Sequence, residues 1–303
     1  MSSAPTALPA AGDAEPVAAA SRPSDFLQLT KPRLTLLVVM TTVAGFLAAP
    51  GPYDPVRLVH ALVGTWLVAA AAAAFNQVLE RRQDAAMSRT RSRPLPAGRM
   101  TVMPALGFAV ALFTGGTAYL AALSNPLTAL LGVVTTTSYV LLYTPLKRTT
   151  PLATLVGAVP GAIPPMMGWS AATGSLGAEP FSLFLILFFW QMPHFLAIAL
   201  LCRDDYASAG FRVLPVVEPG GRSTARQAVV HAGALVFAAL LPFALGVAGR
   251  WYALGALALS LTYFGAAWRL LGDPLSTARA RALFRFSLLY LPLLLVLMLF
   301  TPA

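Results

Sequence analysis

Charged residues are scarce in this chain of 303 residues, at 11%, whereas soluble domains carry roughly 25%. Hydrophobic residues make up 57% of the chain, and the mean hydropathy is +0.72. A water-facing surface over the whole length is therefore excluded, and with it a soluble enzyme, a disordered chain and a coiled coil. Cysteine is almost absent: Cys202 stands alone, so no disulfide can form within the chain.

The first 23 residues lack a basic stretch ahead of an apolar core, which excludes a secretory signal peptide. Alanine and proline dominate this segment, which offers little apolar surface for a packed core. We predict that residues 1–23 form a disordered tail and that residues 24–303 form one membrane-embedded domain.

Long apolar runs recur after the tail, and a helix needs about 20 such residues to cross a hydrocarbon core. We therefore predict an all-α polytopic membrane protein with nine transmembrane helices. The predicted spans are 34–50, 57–79, 102–123, 126–144, 152–172, 181–202, 228–248, 251–271 and 283–301.

Acidic residues are few, 11 against 21 Lys and Arg, and the positions of the basic residues test the nine-span prediction. Nine spans place 19 basic residues on one side of the membrane and only Arg57 and Arg250 on the other. Since basic residues keep to the cytoplasmic side, the amino terminus is predicted in the cytoplasm and the carboxyl terminus outside. The surplus of positive charge then reflects membrane orientation and anionic ligands, with no nucleic acid involved. Two long loops, 80–101 and 203–227, lie on the cytoplasmic side, where we expect the functional site.

Three residues with side-chain oxygens, Asn76, Glu80 and Asp84, follow one another at four-residue intervals. On a continuous helix this spacing puts them on one face, about 6 Å apart. Such oxygens suit Mg²⁺, which is usually bound by one or two carboxylates together with substrate phosphates. Arg89 and Arg93 offer planar forks to phosphate oxygens. The pattern indicates a site for Mg²⁺ and diphosphate, although a solvated helix end with i, i+4 salt bridges explains the spacing equally well.

Further polar residues end the fourth and sixth predicted spans on the cytoplasmic side. Lys147 and Arg148 can reach a diphosphate or simply anchor the helix end, and Tyr143 fits either the interface or a pocket. Asp204 and Asp205 form a second acidic pair that can hold a second Mg²⁺.

The fifth and sixth predicted spans contain residues that are unusual in lipid. Residues 157–169 include three prolines. A helix broken at this depth is tolerated where it is buried in protein or lines a cavity, and we favour the cavity. Gln191 and His194 are costly in an apolar segment, so a functional role is the default hypothesis. For His194, ligation of haem iron, action as a base and a hydrogen bond to a neighbouring helix all stay open.

Seven short motifs occur in a fixed order from Leu29 onward. They are Leu29-Thr30-Lys31-Pro32-Arg33, Asn76-x3-Glu80-x3-Asp84, Met87-x-Arg89-Thr90-x2-Arg93-Pro94-Leu95, Tyr143-Thr144-x2-Lys147-Arg148, Gly161-Ala162-x-Pro164-Pro165-x2-Gly168-Trp169, Trp190-Gln191-x-Pro193-His194-Phe195 and Asp205-Tyr206-x2-Ala209-Gly210-x3-Leu214-Pro215-Val216-Val217. Together they resemble the UbiA superfamily of intramembrane prenyltransferases, and within it the branch that acts on haem. His194 and Cys202 stand where members acting on quinone precursors carry acids, which argues against a quinone-ring acceptor.

The resemblance implies a helical bundle around a central cavity that opens to the cytoplasmic side of the inner membrane. It implies farnesyl diphosphate and haem b as substrates, Mg²⁺ as the cofactor and haem O as the product. The bilayer is the surrounding partner, and a downstream haem A synthase or oxidase assembly factors are implied as protein partners.

The resemblance also assigns roles to the candidate residues. The catalytic set is Asn76, Glu80, Asp84 and His194; the metal ligands are Asn76, Glu80, Asp84, Asp204 and Asp205; the diphosphate ligands are Arg89, Arg93, Lys147 and Arg148; and the haem and prenyl pocket contains Tyr143, Trp169, Trp190, Gln191 and Tyr206.

Three other functions stay open. A member of the same superfamily with a quinone precursor or a chlorin as acceptor keeps the diphosphate half of the site. A secondary transporter also has broken helices and buried polar residues, but these lie near the membrane midplane rather than at one face. A structural scaffold does not need two acidic patches opposite arginines.

Overall fold

The computed structural model describes residues 22–302, so the predicted tail 1–23 lies outside the described residues except for Arg22 and Pro23. All regular secondary structure in that range is helical, apart from one isolated β-bridge between Ala248 and Pro302. The helices are α1 Pro23–Leu29, α2 Pro32–Leu47, α3 Pro55–Leu79, α4 Arg81–Ala86, α5 Val102–Leu123, α6 Pro126–Thr137, a π-helical segment Ser138–Tyr143, α7 Thr144–Leu146, α8 Ala153–Ala162, α9 Pro164–Thr173, α10 Ala178–Leu201, α11 Arg203–Ser208, α12 Leu214–Val217, α13 Arg222–Ala238, α14 Leu241–Ala244, α15 Arg250–Gly272 and α16 Thr277–Phe300.

Seven helical segments in the described part of the chain are long and apolar enough to cross a membrane. They are Pro55–Leu79, Val102–Leu123, Pro126–Leu146, Ala178–Leu201, Arg222–Ala244, Arg250–Gly272 and Thr277–Phe300. The first predicted span is the shorter helix α2, of 16 residues, and the fifth is divided into α8 and α9. The all-helical membrane fold is confirmed, whereas the count of nine stays a prediction.

Many large apolar side chains face outward, and small ones fill much of the interior of α3. The exposed fraction reaches 82% for Phe300 and 76% for Phe237, whereas Ala70, Ala71 and Ala74 of α3 are completely buried. In water, such exposed apolar surface costs roughly 25 cal/mol per Å², so the outer surface is matched to lipid. The chain is an integral membrane protein.

Local sequence explains where the helices begin. Proline stands at the first turn of α2, α3, α6 and α9, where its missing N–H costs nothing. The side chains of Asp54, Asn125 and Ser276 accept backbone N–H groups at the starts of α3, α6 and α16. Helix α13 begins at Arg222, six residues before the start of the predicted span at 228. Its first residues are mostly polar, so a hydropathy pattern does not include them in the span.

Helices α2 and α9 approach each other closely because glycines lie at their contact. A Cβ on Gly45 would overlap with the backbone of Pro165, and one on Gly168 would overlap with the carbonyl of Thr42. Small residues at such contacts allow helix backbones to meet in membranes. Helix α9 is largely buried in protein. Packing therefore accounts for the second half of the broken span, and the cavity favoured for that span stays a prediction.

We expect Gly168→Ala to destabilise the protein by about 2 kcal/mol, since overpacking a core typically costs 1–3 kcal/mol. The matched control is Gly107→Ala on α5, where an added Cβ meets no atom within 4 Å. That change should be neutral or slightly stabilising. Thermal unfolding of the detergent-solubilised variants measures the difference, and equal midpoints would contradict the assigned contact.

Candidate functional site

The three residues with side-chain oxygens keep their helical spacing across a change of helix. Asn76 lies on α3, Glu80 joins α3 to α4, and Asp84 lies on α4. The backbone N–H of Glu80 donates to the carbonyl of Asn76 (2.9 Å), and that of Asp84 donates to Glu80 (2.8 Å). These bonds maintain the four-residue step, so the side chains share one face. All three are buried.

Each of these side chains contacts a cation from a different part of the chain. Lys31, which lies between α1 and α2, donates from Nζ to Asn76 Oδ1 at 2.8 Å. Lys147 Nζ, just after α7, lies 2.7 Å from Glu80 Oε1. Arg93 Nη1, in the loop after α4, lies 2.7 Å from Asp84 Oδ2. The solvated helix end with i, i+4 salt bridges is therefore wrong, because no partner lies three or four residues away and the acids are buried.

Lys31 belongs to this cluster, although no role was predicted for it from the sequence. Its φ of +47° lies in the left-handed region, which costs a non-glycine residue about 1–2 kcal/mol. Such strain persists where the surroundings hold it, and here it directs the ammonium group to Asn76. The sequence contained one indication of this role. Lys31 directly precedes α2, and a cation at the start of a helix is unfavourable because it opposes the helix dipole.

The cluster carries a surplus of positive charge. Lys31, Arg93 and Lys147 supply three cations against the two carboxylates Glu80 and Asp84. Burial, then Arg93 and Lys147, lower the pKa of Lys31 to about 7, although both carboxylates act in the opposite direction. A cluster that penalises its own cation in this way is stabilised by an added anion.

One carboxylate oxygen of the cluster, Asp84 Oδ1, has no hydrogen-bond partner among the described residues. Glu80 Oε1, in contrast, forms the ion pair with Lys147. A buried polar atom without a partner costs about 1–3 kcal/mol. Anionic oxygens that are buried and available are the donors that a hard cation such as Mg²⁺ prefers.

The π-helical segment Ser138–Tyr143 places two tyrosines beside the cluster. Lys147 Nζ lies 4.5 Å from the centroid of the Tyr143 ring, and the Tyr139 and Tyr143 rings are 5.2 Å apart. The Tyr143 ring rests on α8, where a Cβ on Gly157 would overlap with it. Single π turns occur often at functional sites, and this one changes the face on which the following side chains lie.

The two long loops meet above the cluster. Asp205 accepts from the Ser88 hydroxyl at 2.9 Å, and Arg89 lies 5.9 Å from the ring centroid of Tyr206. The backbone N–H of Arg212 donates to the carbonyl of Lys147 at 2.8 Å. The second loop thereby covers the residues that follow α7.

Three predicted ligands lie apart from the buried oxygens. Arg148 is exposed and donates to the Leu79 carbonyl (3.1 Å) and to Gln83 (2.7 Å). Asp204 is exposed, and Asp205 is engaged with Ser88. No group of three or more His, Cys, Asp or Glu residues suited to a metal occurs among residues 22–302. A second Mg²⁺ at Asp204 and Asp205 therefore stays a prediction.

The sixth predicted span presents its polar residues to two different neighbours. Gln191 Nε2 donates to the carbonyl of Ala158 in α8 at 2.7 Å. This hydrogen bond gives a partner to a backbone carbonyl of the broken fifth span. His194 Nδ1 lies 2.6 Å from Ser287 Oγ of α16. Trp190 stacks on His194, with ring centroids 5.2 Å apart. Trp169, in contrast, is buried in the hydrophobic core with Leu183 and belongs to the packing of α9.

Solved structures share the architecture. Digeranylgeranylglyceryl phosphate synthase matches with a TM-score of 0.78 and 17% identity over 92% of this chain and 97% of its own. A UbiA homologue from Archaeoglobus fulgidus bound to GPP and Mg²⁺ matches with a TM-score of 0.67 and 17% identity over 90% of this chain and 99% of its own. At these identities the likeness establishes the fold.

Curated relatives are much closer in sequence. The protoheme IX farnesyltransferase of Koribacter versatilis (strain Ellin345) is 46% identical over 90% of this chain and 92% of its own length. The enzyme of the same name from Myxococcus xanthus (strain DK1622) is 47% identical over 88% of this chain and 91% of its own. The model of the UbiA prenyltransferase family matches residues 37–289. On this evidence the chain belongs to the UbiA prenyltransferase family.

Proposed function

We propose that this protein transfers the farnesyl group of farnesyl diphosphate to a vinyl carbon of haem b, with addition of water, to give haem O and diphosphate. The observation that carries the proposal is the buried stripe Asn76, Glu80 and Asp84, matched by three cations at one end of an apolar bundle. The haem acceptor rests on the relatives named protoheme IX farnesyltransferase.

The residues present fit a bound Mg²⁺. Asp84 Oδ1 is a buried anionic oxygen without a hydrogen-bond partner among the described residues. Glu80 and Asn76 add a carboxylate and an amide oxygen, which contact Lys147 and Lys31. Mg²⁺ commonly takes only one or two carboxylates and completes its shell with water and substrate phosphates, so a larger acidic cluster is not required. When bound, the ion would neutralise charge that develops on the departing diphosphate.

The protein's own residues would hold the head group and separate the reactants from water. Lys31, Lys147 and Arg93 surround the stripe and would bind the diphosphate oxygens, while Tyr139 and Tyr143 would border the first isoprene unit. Prealigned charges that act where charge develops are commonly worth several kcal/mol.

The bond changes balance as follows. The C1–O bond of farnesyl diphosphate breaks, and its electron pair leaves with the diphosphate. The π electrons of the haem vinyl group form the new C–C bond to C1. Water adds to the cationic carbon that remains beside the porphyrin, and one proton is released. Apolar walls around these steps limit the capture of the allylic cation by water before the vinyl group reacts.

The acceptor side of the proposed site lies on α10. Trp190, Gln191 and His194 are the polar and aromatic residues there, and Gln191 contacts α8, which also carries the glycine against Tyr143. Contacts thus run without interruption from the diphosphate cluster to His194. We propose that haem b binds on this side.

We also propose that the protein lies in the inner membrane with its amino terminus and the diphosphate site on the cytoplasmic side. The carboxyl terminus would then lie outside. The support is the distribution of the basic residues, of which only Arg57 and Arg250 fall on the opposite side of a nine-span topology. A haem A synthase or an oxidase assembly factor would receive the product.

The test is mass spectrometry of haem after incubation of purified protein with haem b, farnesyl diphosphate and Mg²⁺. A mass gain of one farnesyl group plus water is expected, and it should disappear with EDTA and return with added Mg²⁺. Parallel reactions with a chlorin and with a quinone precursor identify the acceptor. Farnesylation of either one, with haem unchanged, would refute the proposed acceptor.

Lys31 leads to a pH prediction. Its pKa of about 7 in the free protein means that the ammonium form is lost as pH rises through 7. We expect the affinity for pyrophosphate, measured by calorimetry without Mg²⁺, to weaken more steeply from pH 6.5 to 8.5 in the wild type than in Lys31→Arg, because arginine stays charged. Identical pH profiles would contradict a role for Lys31 in anion binding.

A further inference from the structure

The His194 imidazole is hydrogen-bonded to Ser287 of α16 and packs against the Phe284 ring of the same helix. Its Nδ1 lies 2.6 Å from Ser287 Oγ, and the Trp190 indole N–H donates to the Ser287 carbonyl at 2.9 Å. The Trp190 and His194 rings are nearly parallel, at an interplanar angle of 21°. Two side chains one turn apart on α10 therefore bind one serine, which restricts the imidazole to one orientation.

The hydrogen bonds of Ser287 favour one position for the imidazole proton. The serine hydroxyl has one hydrogen and donates it to the carbonyl of Phe284 at 2.6 Å. A hydroxyl that donates to Phe284 accepts from His194, and this arrangement places the imidazole proton on Nδ1. In the neutral ring the lone pair is then on Nε2. No group in the described part of the chain bonds Nε2, and His194 is only partly buried.

We infer that Ser287 is a positioning residue for the acceptor: its hydroxyl fixes His194 with the proton on Nδ1, so that Nε2 binds the iron of haem b. The inference rests on the proposed function for the identity of the acceptor. Histidines that bind metals almost always donate their other N–H to an oxygen, which orients the ring and raises its basicity. Loss of such a partner typically costs 10–100-fold in metal affinity.

The first test needs neither haem nor turnover. ¹⁵N NMR of histidine-labelled protein in lipid nanodiscs distinguishes the two tautomers, and the chain has only His60, His194 and His231. The His194 signals are assigned from their loss in His194→Gln. We expect the proton on Nδ1 in the wild type. A proton on Nε2 would overturn the inference without any variant of Ser287.

The second test compares three serine variants by titration with haem b. Ser287→Ala should weaken binding 10–100-fold and remove the absorption spectrum of histidine-ligated haem, and Ser287→Thr should restore both because it keeps the hydroxyl. The matched control is Ser260→Ala, which removes a buried hydroxyl 2.7 Å from the Tyr290 hydroxyl in the same part of the bundle. It should leave haem binding unchanged.

Equal losses in Ser287→Ala and Ser260→Ala would overturn the inference, because helix packing would then explain both. Unchanged haem binding in Ser287→Ala would overturn it too. The KM for farnesyl diphosphate should stay within twofold in all three variants, and a selective rise in Ser287→Ala would contradict a role on the acceptor side. If the wild type binds haem as expected but forms no farnesylated product, the proposed function fails and the role of Ser287 stands.

Discussion

Asp84→Asn is expected to lower the rate of farnesyl transfer about 10³-fold. The substitution keeps the size of the side chain but removes the negative charge, so the Mg²⁺ ligand is weakened and Arg93 loses its ionic partner. Removing one preorganised electrostatic group from an active site commonly costs 10²–10³-fold, and a metal ligand lies at the upper end of that range. The measurement is initial-rate mass spectrometry of farnesylated haem at several Mg²⁺ concentrations, and excess Mg²⁺ should restore only part of the rate.

Asp204→Asn is the matched control, since that carboxylate is exposed. We expect its rate to remain within threefold of the wild type. Size-exclusion profiles and haem binding should be unchanged in both variants, which separates loss of catalysis from loss of folding. Wild-type turnover in Asp84→Asn would refute the metal assignment, and an inactive Asp204→Asn would point instead to a second ion.

The acidic stripe could be predicted because it depends only on local geometry. Spacing of four residues survives the junction at Glu80, since the backbone hydrogen bonds continue through it. The partners of the stripe could not be predicted in the same way. Lys31 and Lys147 are distant in sequence from the residues they contact, and only the packing of α2 and α6 against α3 brings them together.

Hydropathy predicted the long spans well because insertion in lipid depends on length and apolar content. It gave no information on which face of a span meets another helix. The sequence offers Trp169 and His194 equally as residues of the haem pocket. In the structure Trp169 is packed in the core. His194 is hydrogen-bonded to Ser287, and its other ring nitrogen has no partner among the described residues. Trp169 is packed because glycines let α2 and α9 approach closely, and the sequence does not indicate which residues those glycines contact.

Lys147 and its neighbour Arg148 offer the sharpest test of what the fold adds, since the sequence treats them as equivalent. Lys147→Met should weaken the affinity for farnesyl diphosphate about 10²-fold or more. It removes a buried cation that would bind the diphosphate. It also leaves Glu80 buried without its counterion, which typically costs 3–5 kcal/mol of folding stability. The thioether side chain preserves most of the volume against Tyr143.

Arg148→Met is the control for this prediction. Its guanidinium is exposed and bonds to the surface of α3 and α4 rather than to the acidic stripe, so we expect less than a threefold change in affinity. The double variant Glu80→Gln with Lys147→Met should regain stability relative to Lys147→Met alone, because no unpaired charge remains, while activity stays low. Equal losses from Lys147→Met and Arg148→Met would mean that net charge at the membrane surface governs binding. The specific contact with Glu80 would then have no part in holding the diphosphate.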